Sequence, residues 1–570
     1  MQHGAGVACV ARLGGLIASL LISAGSAGAA SVLVPDDYPT IQQAIDSGAD
    51  TVVVREGRYE EDLVATEDLT LLSYDPDNYY YQFFEVVVDG LAATGHVEAR
   101  GIRFAGPVRP GGYTGEREWQ FEGCRFDDFL TVSPGGVRLY ARGCIFMKDL
   151  NVRPYTFSFV NCTFLGAHID TWFEGYGRIA GCIFVGSGDF AIRVDAHNGG
   201  MWITGNTITG KVDGVIVRHP SGTEVRDNSV FDCSGTAFRS EPTGPYGASI
   251  YYSNNRVMKC GGHGFHCESV QPIFTGNVVD SVGGDGIRAD NTVTSLIRDN
   301  TIRHTGGRGI AALHVNGLSG NHVVDTGSDG IVLGYVGSAD GNVVGRAGGN
   351  GLWVTKPSDG RLLRNTVYAC TGDGIRVESA WPSNDSLTAN ISYANGGAGL
   401  VVAGPGTAVL SCNDWQANSG GATVGISPGP TDLAIDPLFC NVVEDDVSLT
   451  SASSLLNWPG CGQIGALGQG CEISISGPLG ARPAAESFRV FPQPALDRVM
   501  FAWPAGGGPA RLEVFDVTGA RRWQAEAPAG TAEMSWPLRG VDGARLPAGV
   551  YWARLTRGGE VLHSRIVRIR

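Results

Sequence analysis

The stretch GNVVDSVGGDGIRAD, residues 276–290, decides the fold of this chain because it holds both halves of a repeating unit. An Asn-x-apolar segment opens the unit, and an x-Gly-apolar-x-apolar segment follows it. The unit returns at steps of 22, 27, 22, 23, 21, 21, 23, 25 and 23 residues. Such self-similarity predicts a stack of equivalent structural units. The asparagines that open the units are Asn206, Asn228, Asn255, Asn277, Asn300, Asn321, Asn342, Asn365, Asn390 and Asn413.

The repeat has the character of short strands rather than helices. Residues 287–290 (IRAD) and 375–378 (IRVE) alternate apolar and polar residues with a period of two, and no long run follows the helical period. The 84 glycines also suit tight turns better than helix interiors. The Leu-x-x-Leu-x-Leu frame of leucine-rich repeats is absent from the sequence. We therefore expect an all-β parallel β-helix, with three short strands in each coil.

The same rhythm continues upstream with other residues in the asparagine position. Four cysteines occur there, and each is followed two residues later by phenylalanine, which predicts a stack of buried small apolar side chains. The array then covers most of residues 50–415, or some 14–16 coils, and at about 4.8 Å per coil it predicts a rod about 70 Å long. The cysteines are Cys124, Cys144, Cys162 and Cys182.

The recurring asparagine has two predicted tasks. It tolerates the left-handed backbone conformation of a tight turn. Its amide can also donate to the asparagine of one neighbouring coil and accept from the other, which forms a ladder that satisfies buried amides. The alternative is a series of ordinary surface turns, which would have no reason to keep this register.

Both ends of the array need covers because they expose strand edges. Residues 40–45 read as a capping box that opens a short helix, and 51–54 as the first buried strand. Residues 416–475 lose the repeat and contain three cysteines, of which Cys461 and Cys471 are the predicted disulfide pair. No cysteine pair has zinc-ligand spacing with histidine partners, so we expect no metal site.

The first 30 residues have the features of a secretory signal peptide. Arg12 supplies a positive charge, residues 16–22 are apolar, and residues 27–30 offer small residues for cleavage. No later segment is apolar enough for a transmembrane helix, so we expect a secreted or outer-surface protein. The formal net charge of −15 argues against a nucleic-acid partner.

Residues 35–45 (PDDYPTIQQAI) and 57–61 (GRYEE) resemble the opening of secreted bacterial right-handed parallel β-helix proteins of the pectate-lyase-like superfamily. The resemblance covers residues 31–475 and implies a right-handed coil, whereas chemistry does not follow from fold.

The end of the chain resembles a different family. Residues 491–494 (FPQP), 512–519 (LEVFDVTG) and 546–551 (LPAGVY) resemble C-terminal sorting domains of type IX secretion and flagellar hook-capping-type Ig-like domains. That resemblance implies a small β-sandwich over 488–570, behind a linker at 476–487, that engages export machinery. Gln493 departs from the asparagine usual in those domains, and a sandwich without a signal is the alternative.

Three consecutive coils predict a charged surface. The residue after each apolar residue of the second segment should point outward, which gives one basic and one acidic column. Paired carboxylates can act as acid and base, and arginine can stabilise a uronate or its enolate-like intermediate. A solvated lattice of ion pairs is the alternative. The columns consist of Arg239 with Glu241, His266 with Glu268, and Arg288 with Asp290.

A later part of the array offers a second group of candidates. Trp353 could stack on a sugar ring, and Arg376 with Glu378 lies one coil further on. The aspartates that precede the glycine of the second segment, such as Asp213 and Asp285, suit a structural role in turns. Asp329 belongs to the same set, as does Asp373.

Two functions follow as hypotheses. The first is a non-catalytic exported surface protein that contacts extracellular polysaccharide or the cell envelope. The second is a polysaccharide lyase, epimerase or hydrolase on the Arg239–Asp290 face, for which residues 262–264 (GHG) match one short polygalacturonase element without its partners. We expect no cofactor, and Ca²⁺ only under the lyase alternative.

Overall fold

The computed structural model describes residues 31–568 except 75–84, 111–115, 133–136, 174, 197–199, 220–221, 242–248, 269–270, 291–295, 357–358, 379–382, 473–487, 492–494, 496–497, 504–507, 517–519, 541–542, 548 and 559. The predicted signal peptide and linker lie outside the described residues. The chain divides into two compact units, 1–473 and 474–570.

The first unit is a parallel β-solenoid of about 18 coils with three strand faces. In each coil, face A is the strand face that directly follows the ladder asparagine. Face B is the next strand face along the chain, and face C is the last. Strands Gly57–Ala65 and Val86–Ala93 run from face A into face B, and Ile310–Ser319 and Ile331–Asp340 run from face B into face C.

The remaining strands of the solenoid belong to one face each. Face A contains Ile102–Phe104, Arg125–Phe126, Ile145–Phe146, Thr163–Leu165, Ile183–Val185, Thr207–Thr209, Ser229–Phe231, Arg256–Cys260, Val278–Val282, Thr301–Thr305, His322–Thr326, Val343–Gly345, Thr366–Tyr368 and Ile391–Tyr393. Face B contains Val108–Pro110, Leu150–Val152, Ile169–Phe173, Phe190–Ala196, Asp213–Arg218, Phe238–Glu241, Phe265–Glu268, Ile287–Asp290, Leu352–Val354, Ile375–Glu378, Leu400–Ala403 and Thr423–Val424. Face C contains Ser31–Val34, Thr51–Val54, Leu69–Ser73, Val97–Arg100, Arg117–Glu122, Val137–Arg142, Thr156–Val160, Gly177–Ala180, Met201–Thr204, Thr223–Arg226, Ser249–Ser253, Gln271–Thr275, Leu296–Arg298, Arg361–Leu363, Asn384–Thr388 and Thr407–Ser411.

The predicted number of coils was too low because the first coils lack the repeat signal. Strand Ser31–Val34 precedes Thr51–Val54 and pairs with it in parallel register, so the predicted first strand is the second. Helix Ile41–Asp46 lies between these two strands. Thr40 caps it by accepting a hydrogen bond from the N–H of Gln43 at 3.2 Å, as predicted.

The asparagine ladder is confirmed. All ten asparagines are buried, and each Nδ2 donates to the Oδ1 of the next member, as between Asn277 and Asn300 at 2.9 Å. The same Nδ2 donates to a face C carbonyl, which is Tyr252 O for Asn277 at 2.9 Å. The series ends at Asp432, whose Oδ1 accepts from Asn413 Nδ2 at 3.0 Å and from Asn413 N at 2.9 Å.

The other predicted task of the asparagine was wrong. The left-handed conformation belongs to the residue before it, as at Gly205, Asp227 and Gly276, with φ of 66°, 56° and 65°. None of the ten ladder asparagines has positive φ. The turn is completed one residue earlier because the asparagine already begins face A with its side chain directed inward.

The cysteines occupy the ladder position in the earlier coils. The pairing of Ile183 with Thr207 places Cys182 opposite Asn206. The cysteines are buried, and their thiols donate to face C carbonyls, as Cys124 does to Ala99 O at 3.3 Å. The phenylalanines that follow them stack with ring centroids 4.5–4.9 Å apart, which confirms the predicted apolar stack.

The segment after the repeats folds back along the outer side of face A. It contains strands Phe439–Asn441, Asp446–Thr450 and Gln469–Cys471 and 3-10 helices Val442–Glu444 and Ser454–Leu456. Gly465 N donates to Ala389 O at 2.8 Å, and Tyr368 Oη lies 2.5 Å from a carboxylate oxygen of Asp445. The segment therefore covers the side of the last coils.

This return path explains why the predicted Cys461–Cys471 disulfide was wrong. Cys461 comes back to Cys412 at the end of the repeats. Cys471 pairs with Cys440, and their two strands lie on either side of Asp446–Thr450 in the small sheet. A third disulfide joins Cys233 to Cys260 on adjacent coils. Spacing along the chain had favoured the nearest pair, whereas the fold brings distant positions together.

The second unit is a small antiparallel β-sandwich. One sheet contains Arg489–Phe491, Val499–Ala502 and Glu533–Trp536, and the other contains Ala510–Asp516, Arg521–Ala527, Gly549–Arg557 and Glu560–Arg568. Side chains from both sheets, including Phe501, Leu512 and Trp536, share one buried core.

Candidate functional site: a charged groove on face B

Four neighbouring strands of face B build the candidate site. Their inward residues, such as Ile192 and Val194, are buried, so the residues between them point outward. The parallel register stacks Asp170 on Arg193 in one column, and Trp172, Asp195 and Arg218 in a second.

These outward side chains line a groove with a volume of about 480 Å³. That size lies within the range of pockets that bind small molecules or single sugar units. The groove is lined by Asn151, Val152, Arg153, Asp170, Thr171, Trp172, Arg193, Asp195 and Arg218.

Arginine and aspartate alternate between the coils of the groove. Arg193 Nε donates to Asp170 Oδ1 at 3.0 Å, and this hydrogen bond is the main cause that raises the pKa of Arg193. The guanidinium also lies 4.3 Å over the ring of Phe190. Arg218 donates to Glu241 at 2.8 Å on the following coil. The arginines are thus oriented by acidic partners while they face solvent.

A histidine stands at the edge of the groove. His219 follows Arg218 directly, in the left-handed conformation with φ of 48°, and its Nδ1 lies 2.6 Å from Asp195 Oδ1. A histidine oriented by a carboxylate is an arrangement that can accept or donate a proton.

Two further ionisable groups lie near the turn between faces A and B. Lys211 is buried and donates from Nζ to Ala167 O at 2.9 Å and to Ser187 O at 3.4 Å. His168 lies 3.0 Å from Asp149. Burial lowers the pKa of both Lys211 and His168. Their backbone and carboxylate contacts give them a structural role behind the groove.

The predicted charged columns lie on the next three coils of the same face. Arg239, His266 and Arg288 share one column, and Glu268 stands beside Asp290 in the other. All six side chains alternate with buried ones, as predicted. They do not line the groove, but the Arg218–Glu241 pair joins them to it.

These columns form closely paired ions. Arg239 lies 3.1 Å from Glu241, and Arg288 lies 2.6 Å from Asp290. His266 lies 3.4 Å from Glu268 and 3.2 Å from Asp290. The arrangement matches the ion-pair lattice that was the alternative to an acid–base site.

The predicted sugar-stacking group lies elsewhere. Trp353 is half-buried on face B and packs beside Arg376, whose guanidinium is 6.0 Å from the ring centre. Arg376 also pairs with Glu378 and Asp373, each at 3.1 Å. Ala311 and Val332 occupy the same column between Arg288 and Trp353, so the structure does not bring this group to the charged columns.

The turn aspartates are structural, as expected. Asp213 Oδ1 accepts from Thr236 N at 2.7 Å, and Asp285 Oδ1 from Arg308 N at 2.7 Å. Asp329 Oδ1 accepts from Asn350 N at 2.8 Å, and Asp373 Oδ1 accepts from Ala398 N at 3.0 Å. Each aspartate satisfies a backbone N–H of the following coil.

Most groove residues escaped sequence reasoning because they lie on coils with cysteine in the ladder position, whereas the search for outward columns used the coils marked by asparagine. The signal was present in the sequence. Residues 192–195 (IRVD) repeat the pattern of 287–290 (IRAD) in the same outward columns, four coils upstream. The coil that contains Asp170 and Trp172 has cysteine in the ladder position, which hid its equivalence.

Within the described residues, no cluster of three or more histidine, cysteine, aspartate or glutamate side chains is placed to hold a metal ion. A search of the described part of the chain for helices of the length and apolarity needed to cross a bilayer found none.

Comparison with known proteins identifies the fold. A family profile described as a right handed beta helix region matches residues 143–283 and 270–424. No curated protein matches the chain significantly.

Several solved structures show partial similarity. A surface component of the type-IX secretion system of Porphyromonas gingivalis, PorZ, is 29% identical over 15% of this chain and 11% of its own, with a TM-score of 0.13. The periplasmic alginate epimerase AlgG is 14% identical over 50% of this chain and 75% of its own, with a TM-score of 0.37. Tailspike protein 3 of bacteriophage CBA120 is 14% identical over 68% and 56%, with a TM-score of 0.28. The coils, the ladder and the matched profile together make this chain a right-handed parallel β-helix protein.

Proposed function

We propose that this chain is an exported surface protein that binds an acidic polysaccharide along the groove of face B without converting it. The observation that supports this most strongly is the groove itself, where Trp172 stands between arginines on neighbouring coils. An aromatic ring can pack on the apolar face of a sugar, and arginine recognises carboxylates with paired hydrogen bonds. Three arginines face two aspartates in the lining, which favours an anionic ligand.

The ion pairing of face B supports binding rather than catalysis. Asp170 is held by Arg193, and Asp290 by Arg288. Both carboxylates are therefore occupied by guanidinium partners in the same face rather than directed at a substrate. The pairs are solvated and contribute little stability each, so their arginines remain available to exchange partners with a ligand.

Export is supported by the disulfides and by the sequence of the first 30 residues. Three disulfides join Cys233 to Cys260, Cys412 to Cys461 and Cys440 to Cys471, and such bonds persist in oxidising compartments. The signal-peptide features of residues 1–30 provide a route there. The C-terminal sandwich would then engage export machinery or attach the protein to the cell envelope.

A second candidate function is a lyase or epimerase acting on polyuronates in the same groove. The observation that favours it is the 2.6 Å contact between His219 Nδ1 and Asp195 Oδ1 at the groove edge. Such a histidine could remove a proton next to a uronate carboxylate that is held by Arg218. Ca²⁺ is proposed as a cofactor only under this second candidate.

One titration series separates the two candidates. Alginate and polygalacturonate are added to the full-length protein with and without Ca²⁺, while calorimetry follows binding and ultraviolet absorbance follows new unsaturated ends. Uronate composition by NMR detects epimerisation. We expect binding without turnover. Turnover that disappears in His219→Ala would establish the second candidate, and the absence of both binding and turnover would contradict both.

The variants are chosen by position along the face. Arg193→Ala should weaken polyuronate binding at least about tenfold, which corresponds to one charge-assisted hydrogen bond. Trp353→Ala is the matched control, because Trp353 lies on the same face seven coils beyond Arg193. Equal loss of affinity in both variants would place the ligand elsewhere.

A further inference from the structure

One outward column of face C crosses eight consecutive coils and contains three aromatic residues. Parallel pairing fixes its register throughout. At about 4.8 Å per coil, Trp202 and Tyr251 lie about 10 Å apart, with one coil between them. The column consists of Glu98, Gln120, Tyr140, Ser158, Arg178, Trp202, Glu224 and Tyr251.

The column begins in a groove of about 400 Å³ on face C. Tyr140 and Gln120 line it together with Ser158, whose small side chain leaves space beside the tyrosine. The groove is separate from that of face B, since the two sets of lining residues share no member.

Beyond the groove, the aromatic rings form a platform. Tyr176 is 63% exposed and stacks on Trp202, with ring centroids 6.0 Å apart and 27° between the planes. A Cβ at Gly200 would come within 3.3 Å of the Trp202 ring, so the indole lies directly on this glycine. Tyr251 is 39% exposed two coils further on. Tyr140 and Trp202 are half-buried. Large rings gathered on one part of a surface mark a place of contact.

The charges around the column oppose an anionic ligand. The groove lining contains Glu98, Glu118 and Glu122 against Arg100 and Arg142. Arg100 is already paired with Glu98 at 2.5 Å and with Glu122 at 3.6 Å. The surface therefore offers paired ions, hydroxyls and an amide as hydrogen-bonding groups, with a small excess of negative charge. These groups suit sugar hydroxyls, and the rings suit the flat C–H faces of pyranoses.

We propose that this aromatic row, Tyr140, Tyr176, Trp202 and Tyr251, binds an uncharged, extended β-linked polysaccharide that lies parallel to the stack of coils. The two-coil interval between Trp202 and Tyr251 allows alternate residues of an extended chain to stack on successive rings. The row and the face B groove then hold two chemically different glycans on one rod. The inference stands independently of polyuronate binding on face B.

The test is calorimetric titration of the full-length protein with cellohexaose and with hexa-N-acetylchitohexaose, both of which are uncharged. We expect at least one hexaose to bind, with affinity reduced at least tenfold in Trp202→Ala and in Tyr176→Ala. Tyr335→Ala is the matched control, since this exposed tyrosine packs on His314 away from the row. Arg193→Ala should leave hexaose binding unchanged, which separates this site from that of face B.

The outcomes that would overturn the proposal are distinct. Absence of binding by both hexaoses would reject it, as would equal affinity in Trp202→Ala and the unmodified protein. If Trp202→Ala instead weakens polyuronate binding, the row belongs to an anionic ligand. If Tyr176→Ala dissociates a dimer seen by sedimentation, the row is a self-association surface. Because Tyr176 is largely exposed, Tyr176→Ala keeps the test valid should Trp202→Ala fail to fold.

Discussion

Asn300 donates from Nδ2 to the Oδ1 of Asn321 at 2.9 Å, and the same oxygen accepts from the backbone N–H of Asn300 at 3.1 Å. Asn277 donates to the Oδ1 of Asn300 in the same two ways. Each internal asparagine thus satisfies buried groups of two neighbouring coils. Its loss leaves partners unsatisfied on both sides.

We therefore expect Asn300→Ala to lower the free energy of unfolding by about 1–3 kcal/mol. Urea denaturation followed by circular dichroism measures the change. Asn316→Ala is the matched control, because Asn316 is exposed, and it should change stability by less than about 0.5 kcal/mol. An unfolding curve unchanged by Asn300→Ala would contradict the role of the ladder.

The C-terminal segment should lose stability as pH rises. Asp414 is fully buried, its Oδ1 accepts from Ile435 N at 2.9 Å, and its Oδ2 has no partner among the described residues. Burial raises the pKa of Asp414 from 3.8 to about 7. The folded state therefore binds more protons than the unfolded state between these values, so stability falls as pH rises through that window.

The expected loss on going from pH 4 to above pH 7 is up to about 4 kcal/mol at this site. Asp414→Asn should remove most of this dependence and raise the melting temperature at pH 8 relative to the unmodified protein. Asp46→Asn, on the exposed side of the N-terminal helix, is the control. Parallel pH profiles for Asp414→Asn and the unmodified protein would contradict the assignment.

Peptide mapping without reduction should recover three disulfides, Cys233–Cys260, Cys412–Cys461 and Cys440–Cys471. Among the described cysteines, the remaining six are buried thiols and should react with iodoacetamide only after denaturation. A peptide linking Cys461 to Cys471 would contradict the path of the C-terminal segment.

The two proposed glycan sites should respond differently to salt. Polyuronate binding in the face B groove depends on Arg193 and Arg218, so it should weaken when NaCl rises from about 0.05 M to about 0.5 M. Binding of an uncharged hexaose to the row around Trp202 should change little. Calorimetry at both salt concentrations measures the contrast, and equal salt sensitivity would contradict the division of ligands.

Much of the fold was predictable because hydrogen bonding imposes identical residues on identical positions. The asparagines predicted the ladder, and two-residue alternation predicted the outward direction of Arg288 and Asp290. The same logic failed at the turn, where Gly205 and Asp227 show that many residue types adopt positive φ. A recurring residue shows which side chain a position needs. It says less about the backbone conformation of the neighbouring residue.

The candidate site was less predictable because it depends on neighbours in space. The alternation at residues 192–195 contains the outward direction of Arg193, although our sequence analysis did not use it. The contact between Asp195 and His219 joins residues 24 positions apart, and no local pattern indicates it. The Cys412–Cys461 disulfide depends in the same way on a chain reversal that no local motif encodes. In stacked repeats the same residue pattern recurs in every coil and is therefore easy to recognise. Segments that leave the stack have no recurring pattern from which their path could be predicted.

Asp432 gives the solenoid a defined end. Every asparagine donates its side-chain N–H to an acceptor on the following coil, so the ladder has a direction. An asparagine on an open last coil would have an N–H without an acceptor, and the exposed end of a repeat array needs a cap. An ionised carboxylate accepts hydrogen bonds and has no hydrogen to donate. Asp432 accepts hydrogen bonds from the backbone and side-chain N–H groups of Asn413 and from the indole N–H of Trp415, the last at 2.9 Å. The asparagine ladder thus ends on a side chain that accepts hydrogen bonds from the last asparagine and offers no amide N–H to a further coil.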